Sequence, residues 1–135
     1  MNRRLYKWLR NYKDLINQID YLEFNLEVTE RELERWEGGN LSKVFLTKES
    51  KGSKVENNIE SIKNELTIKK DQKERLVQLI ENFDGLNNKI LKLKYVDGMT
   101  LEIIAEELSY SPGYIQKKHA EIMKMIKFAE KVNIY

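Results

Sequence analysis

The chain has 135 residues, of which 41% are apolar and 34% are charged, so it is long enough for one domain or two small ones around a hydrophobic core. It contains no cysteine, which excludes disulfides and thiolate metal sites. No apolar stretch approaches the ~18 residues of a membrane span, and no signal-peptide core follows the basic start, so we expect a cytoplasmic protein without membrane contact. The net charge of +2 is too small to predict a nucleic-acid partner by itself.

The first predicted element is a long amphipathic helix from Leu5 to Trp36. Its apolar positions are separated by alternating steps of three and four residues, and only Thr29 among them is polar. This spacing, sustained over about four heptads, is typical of a coiled-coil seam. Trp8 and Trp36 both lie on the seam, where we expect core or dimer contacts. The glycine-containing run from Glu37 to Asn40 is predicted to end this helix.

Residues 37–54 are predicted to form a loop rich in Gly, Ser, Lys and Asn. Its short apolar run, Val44-Phe45-Leu46, either packs back on the neighbouring helices or docks a partner. A second helix is predicted from Val55 to Phe83 in the same rhythm, with Lys69 and Lys73 as polar interruptions at seam positions. Since the two helices are similar in length and joined by a loop, we expect an antiparallel hairpin over residues 1–84.

This hairpin also predicts self-association. A two-helix hairpin with a wide apolar stripe rarely buries both faces alone, so we expect a homodimer through the Leu5–Trp36 helix.

Two charged runs in this half leave alternatives open. Seven acidic residues against two arginines between Asp20 and Glu37 form either a solvated helix face or a surface for a basic patch on RNA polymerase. The basic residues near the start either contact phosphate or only aid solubility; they are Arg3, Arg4, Lys7, Arg10 and Lys13.

The stretch from Leu86 to Ile126 predicts three short helices that end in a helix-turn-helix. The first helix stops at Asp97-Gly98, because glycine tolerates positive φ. Thr100 is placed to cap the second helix, and Ser111 the third, with Pro112 at the first position, where a missing N–H costs nothing. The predicted inner faces are Leu101, Ile104, Ala105 and Leu108 on the second helix, and Ile115, His119, Ile122 and Ile126 on the third.

These patterns together predict an all-α fold with two parts. A long coiled-coil-like helical hairpin occupies residues 1–84 and serves oligomerisation or partner binding. A trihelical helix-turn-helix domain for DNA binding occupies residues 85–135.

The run ILKLKY, then TLEIIAEEL, then a helix opened by Ser111, resembles region 4 of bacterial sigma-70 factors. It is closer still to small phage regulators of the RinA and ArpU type, which place such a module behind an N-terminal helical region. The resemblance covers residues 86–126. It implies a DNA-binding regulator of phage or prophage late genes, acting in the cytoplasm of a bacterial host cell, with RNA polymerase as a further partner left open.

The chain departs from the sigma pattern at the positions that read the promoter. Those positions fall on Pro112, Gly113, Gln116 and Lys117, and Pro-Gly cannot supply the charged contacts that sigma factors make there. Sigma-like promoter recognition is therefore not expected, whereas contact with double-stranded DNA is.

The last helix is the predicted reading element, because the second helix of a helix-turn-helix presents its N-terminal turns to base edges in the major groove. With the Ile115 face buried, Gln116 can pair with adenine and Lys117 can reach guanine or a phosphate. Five lysines against two glutamates between Pro112 and Lys131 give this helix a basic surface suited to phosphate. The predicted DNA-binding residues are Ser111, Gly113, Tyr114, Gln116, Lys117, Lys118, Lys124 and Lys127.

The rest of the sequence carries no enzyme signature. His119 is the single histidine, and its inner-face spacing favours packing or hydrogen bonding over a phosphate contact. There is no P-loop, nucleophile elbow or HExxH motif, so we predict no catalytic residue, no metal and no cofactor. The alternatives to a transcriptional regulator are a small terminase-like DNA-packaging subunit and a protein-binding adaptor or anti-repressor without DNA contact.

Overall fold

A computed structural model describes residues 4–38 and 45–132, and the side chains of residues 6–35 and 54–132. The predicted all-α fold is confirmed within these ranges. The elements are α1 (Arg4–Arg10), α2 (Tyr12–Gly38), α3 (Phe45–Glu81), α4 (Gly85–Leu91), a π-helical turn (Lys92–Val96), α5 (Leu101–Leu108) and α6 (Pro112–Lys131). Across these elements, no helix combines the length and apolar character that a membrane span requires.

The chain divides into two compact units. One is Asn17–Asp71, which contains most of α2 and α3, and the other combines the described residues on either side of it. The domain boundary expected at residue 84 does not coincide with this division, because α1 and the last turns of α3 group with the helix-turn-helix. The described residues from Gly85 to Val132 are therefore only part of a larger compact unit.

In the Asn17–Asp71 unit, α2 and α3 form the predicted antiparallel hairpin. Ile19 on α2 and Ile59 and Leu66 on α3 are buried. The Lys70 ammonium of α3 lies 3.2 Å from the Glu23 carboxylate of α2, so an ion pair links the two helices within this unit. The described acidic side chains of the run that begins at Asp20 are exposed.

The single helix expected from Leu5 to Trp36 is two helices. The break is at Asn11, whose N–H donates to both the Lys7 carbonyl (3.2 Å) and the Trp8 carbonyl (3.1 Å). The chain tightens there because asparagine competes with regular helix geometry. Buried Tyr12, Leu15 and Ile19 keep the predicted spacing, and Trp8 is half-buried. The side chains of Leu5 and Trp36 lie outside the described residues.

The loop predicted for residues 37–54 is wrong over its second half, because α3 begins at Phe45. The sequence around Gly52 misled the prediction: one glycine costs a helix only about 1 kcal/mol, which the surrounding lysines and glutamates tolerate. Val44 and the side chains of Phe45 and Leu46 lie outside the described residues, so the proposed docking role of this run stays a prediction.

The seam of α3 also differs from prediction at one position. Lys69 is half-buried as expected, but Lys73 is exposed and Gln72 is half-buried in its place. The seam position that follows Lys69 is therefore three residues later and not four. This spacing turns the neutral Gln72 side chain inward and leaves the Lys73 charge in water.

The core of the other unit is built mainly from buried aliphatic side chains. Asn88 Nδ2 donates to the Ile80 carbonyl at 2.9 Å, which satisfies a backbone acceptor in the last turn of α3. Glu130, only 2% exposed, accepts a hydrogen bond from the Tyr6 N–H and so holds α1 against α6. The fully buried aliphatic side chains of this unit are Leu9, Leu76, Leu79, Ile90, Leu91, Ile104, Ile115, Ile122 and Ile126.

Candidate nucleic-acid interface

The turn between α5 and α6 is specified by local hydrogen bonds. The Ile103 N–H donates to Thr100 Oγ1 at 3.3 Å, as the predicted cap of α5 requires. After α5, Ser109 adopts a left-handed backbone conformation (φ +62°), and the Tyr110 N–H donates to the Ala105 carbonyl at 2.9 Å. These contacts reverse the chain within a few residues and fix where α6 starts.

Ser111 caps α6, as predicted. The Tyr114 N–H donates to Ser111 Oγ at 3.2 Å, and Pro112 occupies the first helical position. Both residues favour the start of a helix. The serine hydroxyl accepts a hydrogen bond from a first-turn N–H that has no partner within the helix, and proline at the first position has no N–H that would need one.

Loss of this cap should have a measurable cost. We expect Ser111→Ala to lower the free energy of unfolding by about 1 kcal/mol, because the Tyr114 N–H loses its acceptor. Urea denaturation followed by circular dichroism measures the change. Ser61→Ala, at an exposed position inside α3, is the matched control and should not destabilise. Equal urea midpoints for Ser111→Ala and the unmodified chain would contradict the capping role.

Helix α6 has the buried face and the exposed face that the sequence predicts. Ile115, Ile122 and Ile126 are fully buried, and Ile104 and Ala105 of α5 are buried in the same compact unit. Lys118 is half-buried, with its ammonium 4.0 Å from the Glu121 carboxylate. The remaining predicted site residues are all exposed: Ser111, Gly113, Tyr114, Gln116, Lys117, Lys124 and Lys127.

The open face at the start of α6 is accessible to a ligand. A Cβ atom built on Gly113 would meet no atom within 4 Å, so another molecule can approach the backbone there. Gln116 and Lys117 lie one turn further along the same helix, and both are exposed. The arrangement therefore presents a backbone edge, an amide and an ammonium on one exposed surface.

The sequence prediction missed one aromatic residue at this surface. Tyr110 in the turn stacks on Tyr114 in the first turn of α6, with ring centroids 5.1 Å apart and planes inclined by 26°. Tyr110 is 45% exposed and Tyr114 is 42% exposed, so the pair keeps one side in water. The four-residue spacing of two tyrosines across the turn was the signal that could have identified the pair.

Lys127 lies at the other end of α6, beside α1. Its ammonium lies 4.6 Å from the centroid of the Tyr6 ring, and the Arg10 guanidinium lies 5.8 Å from the same ring. A cation over an aromatic ring is stabilised by the ring's quadrupole. The basic start of the chain thus contributes Arg10 to the same end of α6, a proximity that no sequence pattern indicates.

His119 packs and hydrogen-bonds inside this unit, as its spacing favours. The Tyr95 hydroxyl lies 2.8 Å from His119 Nε2 and 3.6 Å from the Met123 sulfur, and the two rings stack with centroids 5.9 Å apart. Burial, followed by the nearby Lys94 charge, lowers the pKa of His119 below its usual value of 6.5. Burial, reinforced by Tyr6, raises the pKa of Tyr95 to about 12 against the effect of Arg10, so the phenol stays protonated.

The shift at His119 predicts a pH-dependent stability. Because its pKa is lower in the folded chain, the unfolded chain binds the proton more readily, and stability falls as pH drops below the unfolded value of 6.5. The loss continues until pH passes the folded pKa. In urea denaturation at a series of pH values, His119→Gln should flatten this region of the profile. A profile that keeps the same slope after the substitution would assign the effect to other groups.

Comparisons with protein-family models, with curated proteins and with solved structures found no match to this chain. The resemblance to sigma region 4 and to RinA and ArpU regulators therefore stays a prediction that rests on the residues quoted for it.

Proposed function

We propose that this protein is a sequence-specific DNA-binding transcriptional regulator, which reads the major groove with the first turns of α6. The observation that carries the proposal is the exposed edge formed by Gly113, Gln116 and Lys117 on a helix whose opposite face is fully buried. A groove-reading helix needs this combination of a rigid inner face and extended polar side chains outside.

The distribution of charge supports the proposal. Lys117, Lys124 and Lys127 are exposed on α6, whereas Glu102, Glu106 and Glu107 are exposed on α5. Positive charge is thus concentrated on the helix that would meet phosphate, and negative charge on the helix that supports it. In this arrangement the stacked pair Tyr110 and Tyr114 packs against the sugar-phosphate backbone or a thymine methyl beside the groove.

The regulatory context is inferred from the sequence resemblance to phage late-gene regulators. In that context a homodimer would place two copies of α6 on adjacent turns of one duplex, about 34–36 Å apart. The target is then a pair of half-sites with that spacing.

The test starts from a random-sequence duplex library, because the operator is unidentified. Repeated selection on the full-length protein should enrich a common motif, and binding to that duplex should be measured across a salt series. We expect log K to fall linearly with log salt, with a slope of about −3 to −4 per bound copy if the four lysines of α6 from Lys117 to Lys127 each neutralise one phosphate. No enriched motif, or an affinity independent of salt, would contradict the proposal.

A further inference from the structure

The outer face of α2 carries a row of apolar side chains that lie in water. Tyr21 is 65% exposed, Phe24 is 61% exposed and Val28 is 46% exposed. They follow one another at steps of three and four residues, so they form one line along the helix. An acidic residue directly precedes each of them, and all three acids are exposed. We call this set the acidic stripe: Asp20, Tyr21, Glu23, Phe24, Glu27 and Val28.

The second half of α6 and the residue after it carry a row of the same kind. Met125 is 54% exposed, Phe128 is 63% exposed and Val132 is 48% exposed. The steps are again three and four residues, but here an exposed lysine directly precedes each apolar residue. We call this set the basic stripe: Lys124, Met125, Lys127, Phe128, Lys131 and Val132.

The two stripes have the same spacing and opposite charge. If their helices pack antiparallel, Phe24 meets Phe128 at the centre, with apolar neighbours on both sides. In each stripe a charged residue precedes the first apolar residue and another precedes the last. In the antiparallel arrangement these charged residues of one stripe lie beside those of the other, as flanking charges do in coiled coils. Asp20 faces Lys131, and Glu27 faces Lys124, so both flanking pairs are attractive.

Neither stripe fits a second copy of itself equally well. Two acidic stripes packed antiparallel would place Asp20 beside Glu27 twice, and two basic stripes would place Lys124 beside Lys131 twice. Like charges facing each other are unfavourable at an interface. The Glu27 carboxylate also lies 2.7 Å from the Arg31 guanidinium, but an exposed ion pair one turn apart is weak and leaves Glu27 able to pair elsewhere.

We propose that the acidic stripe of one copy packs antiparallel on the basic stripe of a second copy of this chain. The contact joins two different surfaces and therefore uses α6 as well as α2, unlike a dimer built from two N-terminal helices alone. Lys124 and Lys127 belong to both the basic stripe and the proposed phosphate-contacting surface. Self-association and full phosphate contact by α6 consequently compete.

Sedimentation velocity of the full-length chain over a concentration series tests the contact. The unmodified chain should self-associate. Asp20→Lys with Glu27→Lys should weaken association on the order of tenfold or more, and so should Lys124→Glu with Lys131→Glu. An equimolar mixture of the two double variants should associate again, because the exchanged charges are complementary between copies. Circular dichroism checks that each variant is folded.

Two matched substitutions of exposed apolar residues distinguish this contact from non-specific hydrophobic association. Phe24→Ser should weaken association, whereas Ile68→Ser, at a position on α3 that is 52% exposed, should not. A chain that stays monomeric up to about 1 mM would overturn the proposal. The proposal would also be overturned if association returned only in the chain that carries all four substitutions and not in the mixture of the two double variants. The exchanged charges would then pair within a single copy. Phe24→Ser changes neither the net charge nor the proposed DNA surface, so this variant should still bind the selected duplex motif even though its self-association is weakened; failure of the contact and failure of the proposed function are thereby distinguished.

Discussion

Replacing Gln116 and Lys117 together with alanine is expected to weaken binding to the selected duplex roughly 10- to 100-fold, or more if both side chains read bases. A side chain that pairs with a base edge contributes about 1–3 kcal/mol of discrimination, and a lysine at phosphate contributes to affinity and to its salt dependence. Both side chains are exposed one turn into α6, so their removal should not disturb the core. Fluorescence anisotropy at fixed salt measures the loss.

The matched control for this result lies in α3. Gln78→Ala with Lys63→Ala removes the same chemical groups from exposed positions and changes the net charge by the same amount. We expect this control variant to bind the duplex within about twofold of the unmodified chain, since charges outside the interface act weakly at physiological ionic strength. Equal losses in the two variants would mean that net charge alone drives binding, and the assignment of the site to α6 would be wrong.

The largest effect on stability is expected from Ile104→Ala. Ile104 is fully buried in α5, and removal of a buried isoleucine side chain to alanine costs about 2–5 kcal/mol through lost burial and the cavity left behind. Because total stability of a small protein is about 5–15 kcal/mol, this is a large fraction of the whole. Urea denaturation measures the change, and DNA binding should fail at temperatures where the unmodified chain still binds.

The neighbouring residue supplies the control for this substitution. Ile103 is also an isoleucine of α5, but its side chain is 48% exposed whereas that of Ile104 is fully buried. We expect Ile103→Ala to change the free energy of unfolding by no more than about 0.5 kcal/mol. If both substitutions cost the same, then the packing of α5 that positions α6 is not as described.

Local features of the fold could be predicted from the sequence because they depend on residues only a few positions apart. The caps at Thr100 and Ser111, the stop at Gly98 and the buried face of α6 are of this kind, and the structure has each of them. The exposure of Gln116 follows in the same way, since the helical period fixes its direction once Ile115 is buried.

Contacts between distant parts of the chain could not be predicted. The Tyr6 N–H bonds to Glu130, and Tyr95 meets His119, across sequence separations that no periodic pattern encodes. The placement of Arg10 near the end of α6 accompanies the first of these contacts, because both belong to the packing of α1 on α6. The early start of α3 differs from the prediction for another reason: Gly52 and its polar neighbours resemble a loop in composition, but a single glycine costs a helix only about 1 kcal/mol.

The most direct test of the central claim is an amide NMR titration of the full-length protein with the selected duplex. If the first turns of α6 lie in the major groove, the largest shifts should appear at Gly113, Tyr114, Gln116 and Lys117, with smaller shifts at Lys124 and Lys127. The amides of the Asn17–Asp71 unit outside the acidic stripe should move little. Shifts confined to that unit, or an unchanged α6 at saturating duplex, would contradict the claim that this helix reads DNA.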